Sequence, residues 1–149
     1  MINKKIIIVT ILLWFVCGCS STRHQLPEEI WLAKTGKVLQ KKVEQVNGES
    51  LSKWYIVVEY PPDEAIGYCN RHSNGICRIS ISPALINPSE RLSTLLHELV
   101  HVALKKPGHD KDFENLATKL GLIGPMEATY AGPQLESELN QILNNMIEK

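Results

Sequence analysis

His97-Glu98-Leu99-Val100-His101 constrains this chain more than any other stretch, because it is an HExxH pattern inside an apolar-periodic helix. Residues four apart lie on one helical face, so the two imidazoles can reach a single metal ion together. Glu98 stands beside them, where its carboxylate can take a proton from a water that the ion has acidified. The surrounding helix is well signalled. Asn87 fits an N-cap, Pro88 the first helical position, and Glu90 the third position of a capping box. Leu92, Leu95, Leu96, Leu99, Val100 and Ala103 then recur at helical spacing as a buried stripe. Lys105 and Lys106 suit the negative end of the helix dipole, and Pro107-Gly108 is expected to stop the helix. Alone, either histidine reads as an ordinary surface or core residue. In this pattern they read as ligands.

A catalytic zinc keeps three protein ligands and leaves its fourth position to water. His97 and His101 supply two, so a third has to come from downstream. His109 follows the Pro107-Gly108 break, which can swing the chain back toward the metal. Asp110 then fits the N-cap of a second helix, with Phe113, Leu116, Ala117 and Leu120 on its apolar face and Gly121 as its stop. Glu114, Asp112 and Glu127 compete for the same role, Glu127 because it follows a Gly124-Pro125 turn.

His97 to His101, followed by Gly108-His109-Asp110-Lys111-Asp112-Phe113, resembles the SprT-like (Spartan-type) zinc metallopeptidases. Arg78 to Ser82 resembles that family's edge strand before the metal-binding helix. Leu120-Gly121-Leu122 and Ala128-Thr129 through Ala131-Gly132 are similar to its small bacterial members. The resemblance implies a compact zincin-like domain, Zn2+ held by His97, His101 and His109, Glu98 as catalytic base, and a protein or peptide substrate. The Cys-rich ribbon and basic tail of the DNA-repair members have no counterpart here, so no nucleic-acid partner is expected.

Residues 1–18 read as a bacterial lipoprotein signal, with Lys4 and Lys5 ahead of an apolar run from Ile6 to Val16. That run is shorter than the roughly 20 residues a membrane-spanning helix needs. Val16-Cys17-Gly18-Cys19 resembles a lipobox, making Cys19 the lipidation site, residues 19–26 a membrane tether, and residues 27–149 the folded domain. The expected place is the cell envelope, on the periplasmic face of the outer membrane. A plain secretory signal cut near Gly18 is the first alternative, and an uncleaved anchor the second. Losing Lys4 and Lys5 from a chain of 16 basic and 16 acidic residues leaves two more acidic than basic, which gives no electrostatic footprint for nucleic acid.

Export also suits the cysteines. Cys69 and Cys77 flank an Asn74-Gly75 turn signal between two short strands, so they are expected to close a hairpin as a disulfide, with two inert buried thiols as the alternative; a metal role with His72 has no matching ligand spacing. The remaining elements are a first helix from Pro27 to Val46 ended by Asn47-Gly48, a β-branched and aromatic strand from Trp54 to Tyr60, strands at Ala65–Cys69 and Ile76–Ser82, and a closing helix from Gln134 to Ile147. This order predicts an α+β fold, with helices against one face of a small three-stranded, antiparallel-leaning sheet.

An edge near Ile79–Ser82 is expected to pair with extended substrate. Tyr130 is weighed as an oxyanion stabiliser against the more ordinary role of a packed tyrosine. Two other functions compete with an envelope peptidase: a non-catalytic lipoprotein stapled by zinc, and a zinc hydrolase of peptidoglycan cross-links.

Overall fold

The computed structural model describes residues 26–147; the signal segment, Cys19 and all but the last residue of the tether lie outside the described residues. Helix α1 runs Pro27–Asn47 and stops at Gly48, which takes the left-handed conformation (φ 79°) that favours glycine. Strand β1 is Trp54–Val58, β2 Gly67–Arg71 and β3 Cys77–Ile81. Helix α2, Pro88–Leu104, carries the HExxH motif. Helix α3 is Lys111–Leu120 and helix α4 Pro133–Ile147. Between them lie two-residue strands, β4 (Leu122–Ile123) and β5 (Tyr130–Ala131), separated by a single 3-10 turn at Met126–Ala128. The α+β expectation holds. Among the described residues, no helix is long and apolar enough to cross a membrane.

The sheet order is β1-β3-β2, which corrects two expectations. The sheet is mixed, since β2 and β3 pair antiparallel while β1 and β3 run parallel. Consequently Arg78 to Ser82 is not an edge: β3 is the central strand, hydrogen-bonded on both sides. The edge next to α2 is β2. The second consequence concerns Cys69 and Cys77, which are free thiols. The register sets Cys69 opposite Ile79 and Cys77 opposite Arg71, so the two cysteines sit on a diagonal. The two thiols are within hydrogen-bond reach of one another, with no bond between the sulfurs. Cys77 is fully buried, and burial pushes the Cys69 thiol well above its ordinary range, so both pack as small apolar groups.

The apolar stripe read from the sequence understates how deeply α2 is buried. Every residue from Arg91 to Ala103 is inaccessible or nearly so, because α1, α3, α4, β2 and β3 all pack on this one helix. Leu92, Leu95, Leu96 and Leu99 join Leu32 and Leu39 of α1, Ile79 and Ile81 of β3, and Leu135 and Leu139 of α4 in a single core. Gly36 makes the α1 contact possible, since a Cβ there would fall 2.6 Å from the Trp54 ring. Buried Glu29 ties α1 to the sheet by accepting from Val58 N at 2.9 Å. The HExxH helix is thereby clamped from several sides, which fixes the bearing of its histidines.

Candidate metal centre

Asn87 caps α2 as expected, its side chain accepting from Ser89 N at 2.9 Å. The far end differs from expectation. The helix stops at Lys105, left-handed at φ 58°, ahead of the Pro107-Gly108 pair. The following loop is closed by its own polar contacts. Lys106 Nζ lies 2.6 Å from Asp110 and 2.7 Å from Asp112, and Asp110 caps α3 by accepting from Asp112 N and Phe113 N. His109 is held in this loop and turned back onto α2.

The three imidazoles converge. His109 Nε2 lies 3.1 Å from His97 Nε2 and 3.2 Å from His101 Nε2. Nitrogens bound at about 2.0–2.1 Å on a tetrahedral zinc stand about 3.3 Å apart, so these separations match two edges of such a tetrahedron. The outer nitrogens are engaged elsewhere. His101 Nδ1 donates to the Lys106 carbonyl at 3.1 Å, which fixes its tautomer and leaves Nε2 bare. His97 Nδ1 meets the Thr129 hydroxyl at 2.8 Å. Burial, together with the neighbouring histidines, depresses His97 to about 3 and His101 to about 4. Neutral rings with lone pairs aimed at a common point suit a cation. Phe113, fully buried, lies beneath all three rings with centroids 4.6–4.8 Å away. Among the described residues, His97, His101 and His109 form the one cluster able to hold a metal.

The SprT-like family model matches residues 37–132, a span that includes all three histidines and Glu98. The chain belongs to the SprT-like family. A similar solved structure is the crystal structure of the metallopeptidase zymogen of Pyrococcus abyssi abylysin, at 18% identity and a TM-score of 0.42, over 76% of this chain and 96% of that one. No curated protein matches the chain.

In this SprT-like domain the triad opens into a cleft of about 300 Å³, walled by Glu98, the β2 edge and the segment Glu127–Thr129. Glu98 is 4% exposed, and burial raises its carboxyl to about 8 in the metal-free protein. A cation held by the triad would favour the charged form and bring that value down. Gly67 of β2 admits the carboxylate: a Cβ there would fall 2.6 Å from Glu98 Oε1 and 2.5 Å from the Thr94 methyl.

Other residues singled out from the sequence are placed elsewhere. Asp112 pairs with Lys106, Glu114 is exposed on α3, and His72 stacks on Tyr55. Tyr130 is 55% exposed and lays its ring over Gly124, where a Cβ would be 2.5 Å from its Cε1, rather than in the cleft wall. Glu127 does line the cleft but stands outside the ligand cluster.

Thr129 is the residue sequence reasoning missed. It is buried between the 3-10 turn and β5, and it reaches α2 because β5 pairs back onto β4. Two-residue strands carry no alternation to read; the Gly124-Pro125 turn and the family resemblance across Ala128-Thr129 and Ala131-Gly132 mark the segment without giving Thr129 a role. Thr129→Val keeps the shape but removes the partner of His97 Nδ1. Metal affinity is expected to fall about 10- to 100-fold with little change in thermal stability, as measured by competition with a chromophoric chelator. An unchanged affinity would show that Phe113 packing alone orients the ring.

Proposed function

We propose that this SprT-like chain is a zinc-dependent peptidase of the bacterial envelope. The reading rests on three converging imidazoles, with His109 Nε2 3.1 and 3.2 Å from the other two Nε2 atoms, beside a buried carboxylate and facing an open cleft. His97, His101 and His109 would hold the zinc, which would supply an acidified water and polarise the scissile carbonyl. Glu98 would take a proton from the attacking water and pass it to the leaving amine. Low exposure of Glu98 keeps bulk solvent from competing for the proton. The free edge of β2 offers backbone groups to an extended peptide, which takes the role first read onto Ile79–Ser82. A closed structural zinc site would need a fourth protein ligand, and the described cluster has three.

Placement in the envelope rests on the sequence of residues 1–19, with Cys19 as the lipid anchor. The test is to incubate the purified full chain, with zinc and with a chelator, against an unfolded protein, a peptide library and muropeptides. Chelator-sensitive cleavage of the unfolded protein and library peptides is expected. Cleavage confined to muropeptides would move the substrate to cell-wall cross-links, and none at all would reject the enzyme.

A further inference from the structure

We infer that the cleft selects peptides carrying a basic side chain on one side of the metal and an acidic group on the other. This deepens the peptidase reading and rests on it for the position of the scissile bond. Two recesses meet at the metal. The first is the cleft described above, edged by the Ala65–Cys69 stretch; among the described residues its charged wall residues are Glu98, beside the histidine triad, and Glu127. The second, of about 270 Å³, shares Tyr68, Cys69, His101 and Pro107 with the first and continues along β2 to Arg71. Its charged wall residues are Arg71, Lys105 and Lys106, with no carboxylate among them.

The charges differ in how far they are already satisfied. Lys106 is neutralised by Asp110 and Asp112. Arg71 donates to Ser52 Oγ and to the carbonyls of Gly75 and Val102, none of which carries charge. Lys105 is exposed at the C-terminal cap of α2, and Glu127 is exposed on the 3-10 turn beside Thr129. The trough is therefore polarised: acidic in the recess that holds Glu127, basic in the recess that continues along β2 to Arg71. A peptide paired along β2 advances about 3.3 Å per residue, so two or three residues on each side of the scissile bond reach the two ends. Glu127 then meets a lysine or arginine side chain, and Lys105 with Arg71 meets an aspartate, a glutamate or a free α-carboxylate. Reversing the order of the charges puts like against like at both ends, which penalises the wrong peptide as well as favouring the right one.

The experiment measures binding, so that it stands apart from turnover. Fluorescein-labelled eight-residue peptides share an apolar centre and carry lysine then aspartate, aspartate then lysine, or glutamine at both places. Each is titrated by anisotropy into zinc-incubated Glu98→Gln full chain at low salt. One charged order is expected to bind about 5- to 10-fold tighter than the other two peptides, with the advantage shrinking in salt, as for two partly exposed ion pairs. The better order reports which way the peptide lies. Adding Glu127→Lys and Lys105→Glu together should reverse the preference. Equal binding of both orders, or a preference that survives the double charge swap, overturns the inference. Cleavage by the wild type without any charge preference would sink this inference and spare the peptidase reading. Charge-ordered binding without cleavage would do the opposite.

Discussion

Glu98→Gln is expected to leave the metal content of the protein unchanged while lowering peptide hydrolysis by about 10²- to 10⁴-fold. Glutamine matches the carboxylate in size, so the close approach to Gly67 survives. What is lost is the ability to take a proton. The three imidazoles and their outer partners at Thr129 and Lys106 are untouched, so the ligand set stays whole. Elemental analysis of the purified variant, beside kcat on a library-derived peptide, checks both halves. Hydrolysis at the wild-type rate would remove Glu98 from the chemistry.

The same substitution has an effect of opposite sign on the metal-free protein. Burial raises Glu98 from 4.5 to about 8, so the folded chain holds a proton that the unfolded chain has released. Its contribution to stability is complete below pH 4.5 and is lost as pH rises through about 8. His97 and His101, depressed to about 3 and about 4 from 6.5, behave in reverse: their contribution is present above pH 6.5 and is lost as pH falls. From pH 6.5 upward the Glu98 loss therefore stands clear of the two histidines. Between pH 6.5 and 8.5 the variant should gain about 2 kcal/mol on the wild type, measured by urea unfolding in chelator. A constant difference across that range would mean that Glu98 reaches water in the metal-free state.

Much of this was legible because local and tertiary demands agree along α2. Its cap, its apolar spacing and its ligand spacing all depend on one period, and the structure keeps that period from Pro88 to Leu104. Gly48, Asp110 and Gly121 ended or began helices where their backbone and side-chain chemistry asked for it. What escaped was set by partners distant in sequence. Nothing in Trp54–Val58 reveals that it runs parallel to β3, which displaces β2 to the edge and makes Gly67–Arg71 the strand beside the metal. The cysteines illustrate the same point: the hairpin turn at Asn74-Gly75 is real, with Ile76 N donating to Asn74 Oδ1, yet the register it imposes leaves the thiols diagonal. The end of α2 was misjudged for a different reason. A lysine in the left-handed region is uncommon, and Lys105 adopts it beside a neighbour, Lys106, that is tied down by the His101 ring and by two aspartates.

His109→Ala is expected to cost more metal affinity than the Thr129 change, above about 100-fold, because it deletes a ligand where the other deletes a ligand's support. The variant should still fold. His109 is only partly buried, and its loop is closed independently by the Asp110 cap and the Lys106 ion pairs, while Phe113 remains under His97 and His101. Circular dichroism and a thermal melt in chelator establish folding, and elemental analysis after dialysis reads the metal. Glu127→Gln and Glu114→Gln serve as controls that should retain it, since neither carboxylate belongs to the cluster. Two imidazoles alone leave two positions to water and hold the ion in no defined orientation toward Glu98, so hydrolysis should fall with occupancy. Full metal retention by His109→Ala, with loss in the Glu127 variant instead, would move the third ligand across the cleft and take the open coordination position with it.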